Sequence, residues 1–289
     1  AGVKRQADAL GVELTISQAR NDNDTQRSLV EQAINLGVDG IIINNGRPEV
    51  LKDVAQKALD AGIQVVAYDV DLDNPKIPQI EQSDRDMATL TLEQAIKDKG
   101  EGFTGGAVYV AGFAPLDRRY AVWKEFVEKH NLTEKAVWGV VNDTVPASVA
   151  DQTKAVLRAN PDISVIFTPW DEFAKGVKLA IDELGMSSQV KIYGVDISTA
   201  DIQLMVEPDS AWVATAATNA AVVGEVSVRA VSLAIAGQFP GQQVMLKPTL
   251  ITRDDLVNNN INTIEELQAK FPAFQKSDAA TADWIPAAK

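Results

Sequence analysis

Ile163-Ser164-Val165-Ile166-Phe167-Thr168-Pro169-Trp170-Asp171-Glu172-Phe173-Ala174-Lys175-Gly176 carries three structural signals in one short stretch. Ile163 to Phe167 is an apolar run of the length expected for a strand covered on both faces. Thr168-Pro169 breaks it, because proline has no N–H for a ladder and drives its predecessor toward an extended conformation. The chain then restarts as a helix, with Asp171 placed to cap it and Glu172 in the first turn, where negative charge suits the macrodipole. Trp170 is thereby set at the carboxyl end of a strand, the edge of an open α/β sheet at which ligands bind. A flat indole at that edge is a candidate stacking platform.

The same strand–loop–helix rhythm runs outward in both directions. Ala1 to Leu10 reads as a helix, Val12 to Ile16 as a strand and Asp24 to Leu36 as an amphipathic helix. Ile41 to Ile43 is a buried strand ending at Asn44. Pro48 to Ala61 is a helix with proline where it is tolerated, and Gln64 to Tyr68 a strand ending at Asp69. Strands recurring at this interval with helices between them are the mark of right-handed βαβ units and a parallel sheet. After a helix from Met87 to Lys99, the glycine-rich Gly100 to Gly106 reads as a joint, and the pattern begins again. Strands are expected at Ala107–Val110, Ala136–Val141, Val190–Val195 and Trp212–Ala217, and helices at Arg118–His130, Val149–Ala159, Thr199 onward and Ala220–Ala236. Val244 to Ile251 is a last extended piece. The tail from Asn258 holds one short helix, Ile264 to Lys270, and otherwise reads as weakly structured.

Two similar α/β halves meeting near residue 104 follow from this pattern. The first domain is expected to comprise residues 1–104 plus about 219–250, the long helix after Ala217 returning to it. The second is expected to comprise 105–218 plus about 251–289. A chain of 289 residues is long enough for two such cores.

Composition removes several function classes. The chain carries 27 Lys+Arg against 40 Asp+Glu, a formal charge of -13, which argues against nucleic acid or anionic lipid as a partner. With no cysteine there is no disulfide, thiolate nucleophile or thiolate-bound metal. The one histidine, His130, ends an amphipathic helix, where a cation complements the helix terminus. No apolar run approaches membrane-spanning length, no secretory signal is present, and no cofactor motif occurs.

Polar or aromatic residues close four apolar strands: Asn44, Asp69, Trp170 and Asp196. A fifth strand is followed within one loop by Arg118-Arg119. Each has a structural alternative, a turn for Asn44, a helix cap for either aspartate, or a surface pair with Asp117 or Glu125 for either arginine. Taken together on two facing sheet edges, they suit a hydroxyl-rich guest. Carboxylates accept from adjacent hydroxyls, arginine donates, and a ring covers the C–H face of a sugar.

The segments Gly37-Val38-Asp39-Gly40-Ile41-Ile42-Ile43-Asn44, Gly62-Ile63-Gln64-Val65-Val66-Ala67-Tyr68-Asp69, Leu157-Arg158-Ala159-Asn160-Pro161-Asp162-Ile163 and Tyr193-Gly194-Val195-Asp196 carry a resemblance. In that order, from Ala1 to about Asp255, the chain resembles the periplasmic sugar-binding proteins of the ribose/galactose class, which feed ABC importers. The resemblance implies an α/β fold of two doubly wound parallel-sheet domains joined by three crossovers, closing like a hinge on a ligand between them. It implies a non-enzymatic, monomeric, periplasmic receptor without a cofactor, which binds a monosaccharide or polyol and presents it to a membrane permease.

Carried over residue by residue, Asn44 and Asp69 match the first-domain hydrogen-bonding positions and Asp196 the second-domain carboxylate. Arg119, or Arg118 beside it, matches the arginine that precedes a Gly-Phe pair, here Val122-Trp123. Trp170 falls where the family has an asparagine, and Thr218, with Asn219 next to it, where an amide stands at the third crossover. A calcium loop is not matched: Asn21-Asp22-Asn23-Asp24 lacks the closing glutamate and reads as turn and cap. In the family a further strand precedes the helix that here opens at Ala1, so a longer native chain is expected. The competing reading is the effector-binding core of a lactose-repressor-type regulator, which shares the fold but calls for a DNA-binding headpiece and usually a basic face.

Overall fold

The computed structural model describes residues 1–288. Helices α1 (Gly2–Leu10) and α2 (Asn23–Leu36) lead into strand β1 (Gly40–Asn44), helix α3 (Pro48–Asp60), and strands β2 (Gln64–Tyr68) and β3 (Gln79–Glu81). Then come α4 (Asp84–Lys99), β4 (Thr104–Val108), α5 (Ala114–Lys129), β5 (Thr133–Trp138), α6 (Val145–Ala159), β6 (Val165–Thr168) and α7 (Asp171–Leu184). The chain continues through β7 (Lys191–Val195), α8 (Thr199–Val206), β8 (Trp212–Ala217), α9 (Ala220–Ile235), β9 (Gln243–Met245), β10 (Thr249–Thr252), α10 (Arg253–Asn258) and α11 (Ile264–Lys270).

Two sheets organise these elements. The first is all parallel in the order β1-β2-β3-β9. The second runs β10-β8-β7-β6-β4-β5, parallel except for β10. Helices on both faces produce the burial patterns expected. All four residues of β6 are buried, as a central parallel strand requires. In α3, Leu51, Val54, Ala55 and Ala58 line one face, and each is fully buried in the first-domain core. Asp22 caps α2 by accepting from the Thr25 N–H at 2.7 Å, so the Asn/Asp run is the turn and cap expected of it.

Four expectations need correction. Val12–Ile16 is exposed at every residue and belongs to no ladder. Alternation describes one strand's faces, whereas a strand exists only with a partner, and the outer edge of β1 is unpaired among the described residues. Second, the boundary near residue 104 is misplaced. α4 packs against α5, β7, β8 and β10, and its Met87, Ala88, Leu92 and Ala95 share a core with Phe167 and Tyr193. The first crossover is therefore the Gln82-Ser83 segment ahead of α4.

Of the glycines read as a joint, Gly105 and Gly106 are packing residues inside β4. A Cβ on Gly105 would lie 2.9 Å from the Trp123 ring and one on Gly106 2.7 Å from the Trp138 ring. Third, Val244–Ile251 is two strands in different sheets, β9 and β10, so it is itself a crossover. The passage at Thr218-Asn219 is accordingly the second, not the third, and the tail adds a fourth. Fourth, the tail is divided. α10, α11 and Phe274 join the second-domain core, and the chain then returns to the first domain. There Ala279 and Ala280 pack beside Val222 and Val226, the Ser277 carbonyl accepts from Arg229 at 2.9 Å, and the Pro286 carbonyl accepts from Gln6 at 2.9 Å. α9 packs on α1, β1 and β2.

Candidate functional site

Because β2 and β7 are parallel strands in facing sheets, the residues that follow them meet at one cleft. Asp69 follows β2 with φ 54° and Asp196 follows β7 with φ 74°. This left-handed backbone costs a non-glycine residue on the order of 1–3 kcal/mol and persists where surrounding structure enforces it. Neither aspartate caps a helix: Ser198 caps α8 in a capping box with Asp201, and α4 begins after Ser83. The capping alternative is thus excluded for both carboxylates.

Arg119, 2% exposed, organises the second-domain side of the cleft. Its Nε donates to Asp84 Oδ1 at 2.8 Å, and its Nη1 donates to Asp196 Oδ2 at 3.0 Å and to the Pro169 carbonyl at 2.7 Å. One guanidinium therefore fixes the second-domain carboxylate and the turn that presents Trp170. Burial opposes its charge, but Asp196, Asp84 and Asp69 hold it well above its ordinary value. Burial and the nearby charge of Asp84 push the Asp69 carboxyl up to about 8, with Asp196 adding to Asp84 and Arg119 pulling the other way. Asp196 is raised by the same burial, against the pull of Arg119. Tyr68, beside Asp69 and Asp196, is held well above its ordinary value by burial and by their charges. Asp69 Oδ1 is buried and no group donates to it in hydrogen-bond geometry, although the Tyr68 hydroxyl is near enough to draw the carboxyl slightly downward. Such an atom is costly unless something supplies the bond.

Trp170 is the residue ahead of α7 and caps it only through its backbone, so Asp171 is the first helical residue and not the cap. The indole is half-buried, edge-on to Phe173 at 5.2 Å. The next residue, Asp171, is held well above the usual carboxylate range by burial and by Asp201, and Lys175 reaches both, at 3.7 and 3.3 Å. Along the same sheet edge, toward β4 and β5, half-buried Val110, Phe113, Val140 and Val141 give an apolar rim.

Of the residues singled out in the sequence, Asp69, Arg119, Asp196 and Trp170 converge. Asn44 ends β1 exposed, its side chain without a protein partner among the hydrogen bonds of the described residues. Arg118 does not line the centre: it spans the domains to Asp71 at 2.9 Å and Asp84 at 2.8 Å. The arginines' partners are these carboxylates, while Asp117 instead accepts from Tyr109 and Glu125 pairs with Arg85. Thr218 and Asn219 are committed to the protein. Thr218 donates to Gln82 at 2.8 Å, and Asn219 caps α9 and donates to the Phe274 carbonyl.

Sequence reasoning missed Gln82 and Asp84, which bind Asp69 and Arg119 directly. Their signal was the polar run Glu81-Gln82-Ser83-Asp84 between a strand and a helix. At the mouth, the Arg47 guanidinium lies 4.7 Å from the Phe113 ring centre and Asn21 donates to the Asn142 carbonyl at 3.4 Å, so the two domains touch across the cleft. The tryptophans Trp123, Trp138 and Trp212 are buried in the core, and His130 ends α5 beside Glu101, as their positions suggested.

Two parallel-sheet domains closing on a cleft of carboxylates, an arginine and an indole define a solute-binding protein of the periplasmic type. The periplasmic binding protein domain family matches residues 1–239, and the chain belongs to it. That family consists of binding proteins rather than enzymes. Among its relatives, the D-xylose-binding periplasmic protein of Escherichia coli (strain K12) is 28% identical over 208 residues, 69% of this chain and 62% of its own. The D-ribose/D-allose-binding protein of Pseudomonas aeruginosa is 29% identical over 246 residues, 79% of this chain and 73% of its own. The chain spans about three-fifths of the length of the first curated relatives it matches. A 5-methylthioribose transporter solute-binding protein from Thermotoga lettingae, solved with 5-methylthioribose, superposes with a TM-score of 0.95 at 36% identity, covering 98% of this chain and 90% of its own.

Proposed function

We propose that this protein is a periplasmic receptor that captures a monosaccharide or polyol between its domains and delivers it, as a monomer, to the permease of an ABC importer. The observation that carries this reading is Asp69, whose buried Oδ1 has no protein partner while the Arg119–Asp196 pair and Trp170 stand on the opposite domain. In the binding mode we infer, Asp69 and Asp196 bond adjacent hydroxyls, Arg119 holds Asp196 in register, Asn44 adds an amide at the first-domain rim and Trp170 stacks on a C–H face. Closure removes water from these bonds and strengthens them, and the open and closed forms give a permease two states to distinguish.

Pentoses are the favoured class. Relatives bind D-xylose and D-ribose or D-allose, and the similar Thermotoga lettingae structure holds 5-methylthioribose. The apolar rim of Val110, Phe113, Val140 and Val141 beside Trp170 suits a sugar bearing an apolar group at one end.

A thermal-shift panel of pentoses, 5-methylthioribose, hexoses and polyols tests this reading, since a ligand that binds only the folded state raises its melting temperature. The expected result is a concentration-dependent rise for at least one pentose. Silence across the panel, together with a shift for a nucleobase or an operator DNA, would overturn it in favour of the repressor-core alternative.

A further inference from the structure

The first three crossovers between the domains are tied to one another and to the cleft. Gln82, in the first, donates from Nε2 to Asp69 Oδ2 at 3.0 Å and accepts at Oε1 from the Thr218 hydroxyl, in the second, at 2.8 Å. Its neighbour Ser83 donates to the carbonyl of Leu246, in the third, at 2.9 Å. Asp69, Gln82, Ser83 and Thr218 are between 5% and 8% exposed, so solvent does not replace these bonds. Ser83 also sits at φ 55°, a conformation that marks the crossover as over-determined by its surroundings.

An amide donates only from nitrogen and accepts only at oxygen, so the chain Thr218 to Gln82 to Asp69 has one direction. Asp69 Oδ2 is thereby occupied, and the oxygen left over is the unpartnered Oδ1. The carboxylate belongs to the first domain's strand end, while the hydroxyl at the far end of the chain belongs to Thr218, between β8 and the Asn219 cap of α9. Domain closure works by torsion changes in such crossovers.

We propose that Gln82 is a positioning residue that selects which oxygen Asp69 offers the ligand and passes that contact to the crossovers through Thr218. This rests on the receptor function proposed above. A ligand that engages Oδ1 fixes the Asp69 rotamer, hence the Gln82 amide, hence the separation of the first two crossovers. Conversely, a hinge position that breaks the Gln82–Thr218 bond frees Asp69 to turn, which weakens the grip on the ligand. Asp69 would then sense the hinge even though Thr218 bonds to Gln82 and not to Asp69 itself. A buried amide that merely satisfies its neighbours predicts no such transmission.

The test follows Asp69 itself, by carbon-detected NMR titration of the full ligand-free chain between about pH 5 and about pH 10. The groups facing it are Tyr68 on its own strand, Asp84 at the start of α4, and Arg119 and Asp196 from the second domain. None of these is altered by the variants Gln82→Leu, Thr218→Val or their combination. Gln82→Leu removes a donor to the charged form and moves the Asp69 midpoint upward. Thr218→Val moves it in the same direction, and the combination moves it no further than Gln82→Leu alone. Affinity follows the same order for whichever of D-ribose, D-xylose and 5-methylthioribose binds best, with a loss of about tenfold for Gln82→Leu and less for Thr218→Val.

A Thr218→Val chain with wild-type titration and affinity would overturn the proposal, as would effects that add fully in the combination. If Gln82→Leu does not fold, Thr218→Val decides alone, with Thr218→Ser restoring both readouts if the hydroxyl is what matters. If none of the three sugars binds the wild type, the pentose reading fails, while the ligand-free titration still decides the role of Gln82.

Discussion

Asp69 holds its proton well into the neutral range, and this gives the site a pH signature with a definite sign. Its carboxyl stands at about 8 in the fold against an ordinary value of 3.8, so the folded chain keeps a proton that the unfolded chain has released. Stability from this group is complete below the unfolded value and declines as pH rises toward 8. Asp171 and Asp196 are shifted in the same direction, so their contributions add. The melting temperature of the ligand-free protein is therefore expected to fall between about pH 5 and about pH 9, and Asp69→Asn to reduce that slope by a few degrees, roughly.

A second residue-scale expectation concerns Trp170. Its half-buried ring lies edge-on to Phe173 at the margin of the second-domain core, so Trp170→Ala is expected to fold. It should lose about tenfold in pentose affinity by calorimetry if the ring stacks on the sugar. Unchanged affinity would make it a packing residue. Asp69, Asp196 and Trp170 were legible because each stands just past an apolar run, and Arg119 because it lies on the helix that follows one. Gln82 and Asp84 were not, because their partners lie 13 and 35 positions away and nothing local distinguishes a bonded amide from a solvated one.

At the scale of elements, β4 shows how glycine misleads. Gly105-Gly106 looks like a flexible joint from sequence, yet in the structure it is the floor under two indoles. Gly106→Ala would drive a Cβ to 2.7 Å from the Trp138 ring and 3.0 Å from the Ala136 carbonyl. The expected cost is about 1–3 kcal/mol of stability, read as a lower denaturation midpoint with the denaturant slope unchanged. α4 was legible as a helix, since its length and caps are local properties, but its domain was not. Its Met87, Ala88, Leu92 and Ala95 are apolar enough for either core, and only contacts with β7, β8 and β10 assign it. Val12–Ile16 illustrates the same limit for strands, because the ladder that would confirm one lies elsewhere in the chain.

For the whole molecule, the balance between open and closed forms depends on few contacts across the mouth. The Arg118–Asp71 pair is partly exposed and worth about 0–1 kcal/mol. The Arg47–Phe113 contact is worth about 0.5–1 kcal/mol. Closure without ligand is thus weakly held, which leaves the ligand to decide it. Phe113→Ala is expected to enlarge the ligand-free radius of gyration in small-angle scattering and to leave the ligand-bound value at that of the wild type.

The division of the tail and the late return of α9 set the order in which the molecule can assemble. Residues 84–217 of the second domain form one continuous run holding five of its six strands, so its early contacts span short loops. The first sheet has β1 to β3 ready early but must wait for β9, more than 160 residues after β3, and α1 must wait for α9. Closing loops that long is slow, and domains of this size fold as units through intermediates. Pulsed hydrogen exchange during refolding should therefore protect β4, β6 and β7 before β1 and β2, with Gln6 and its helix among the last to be secured. A nascent chain stopped before residue 243 would present a finished second domain beside an unfinished first, a species to which no hinge yet applies.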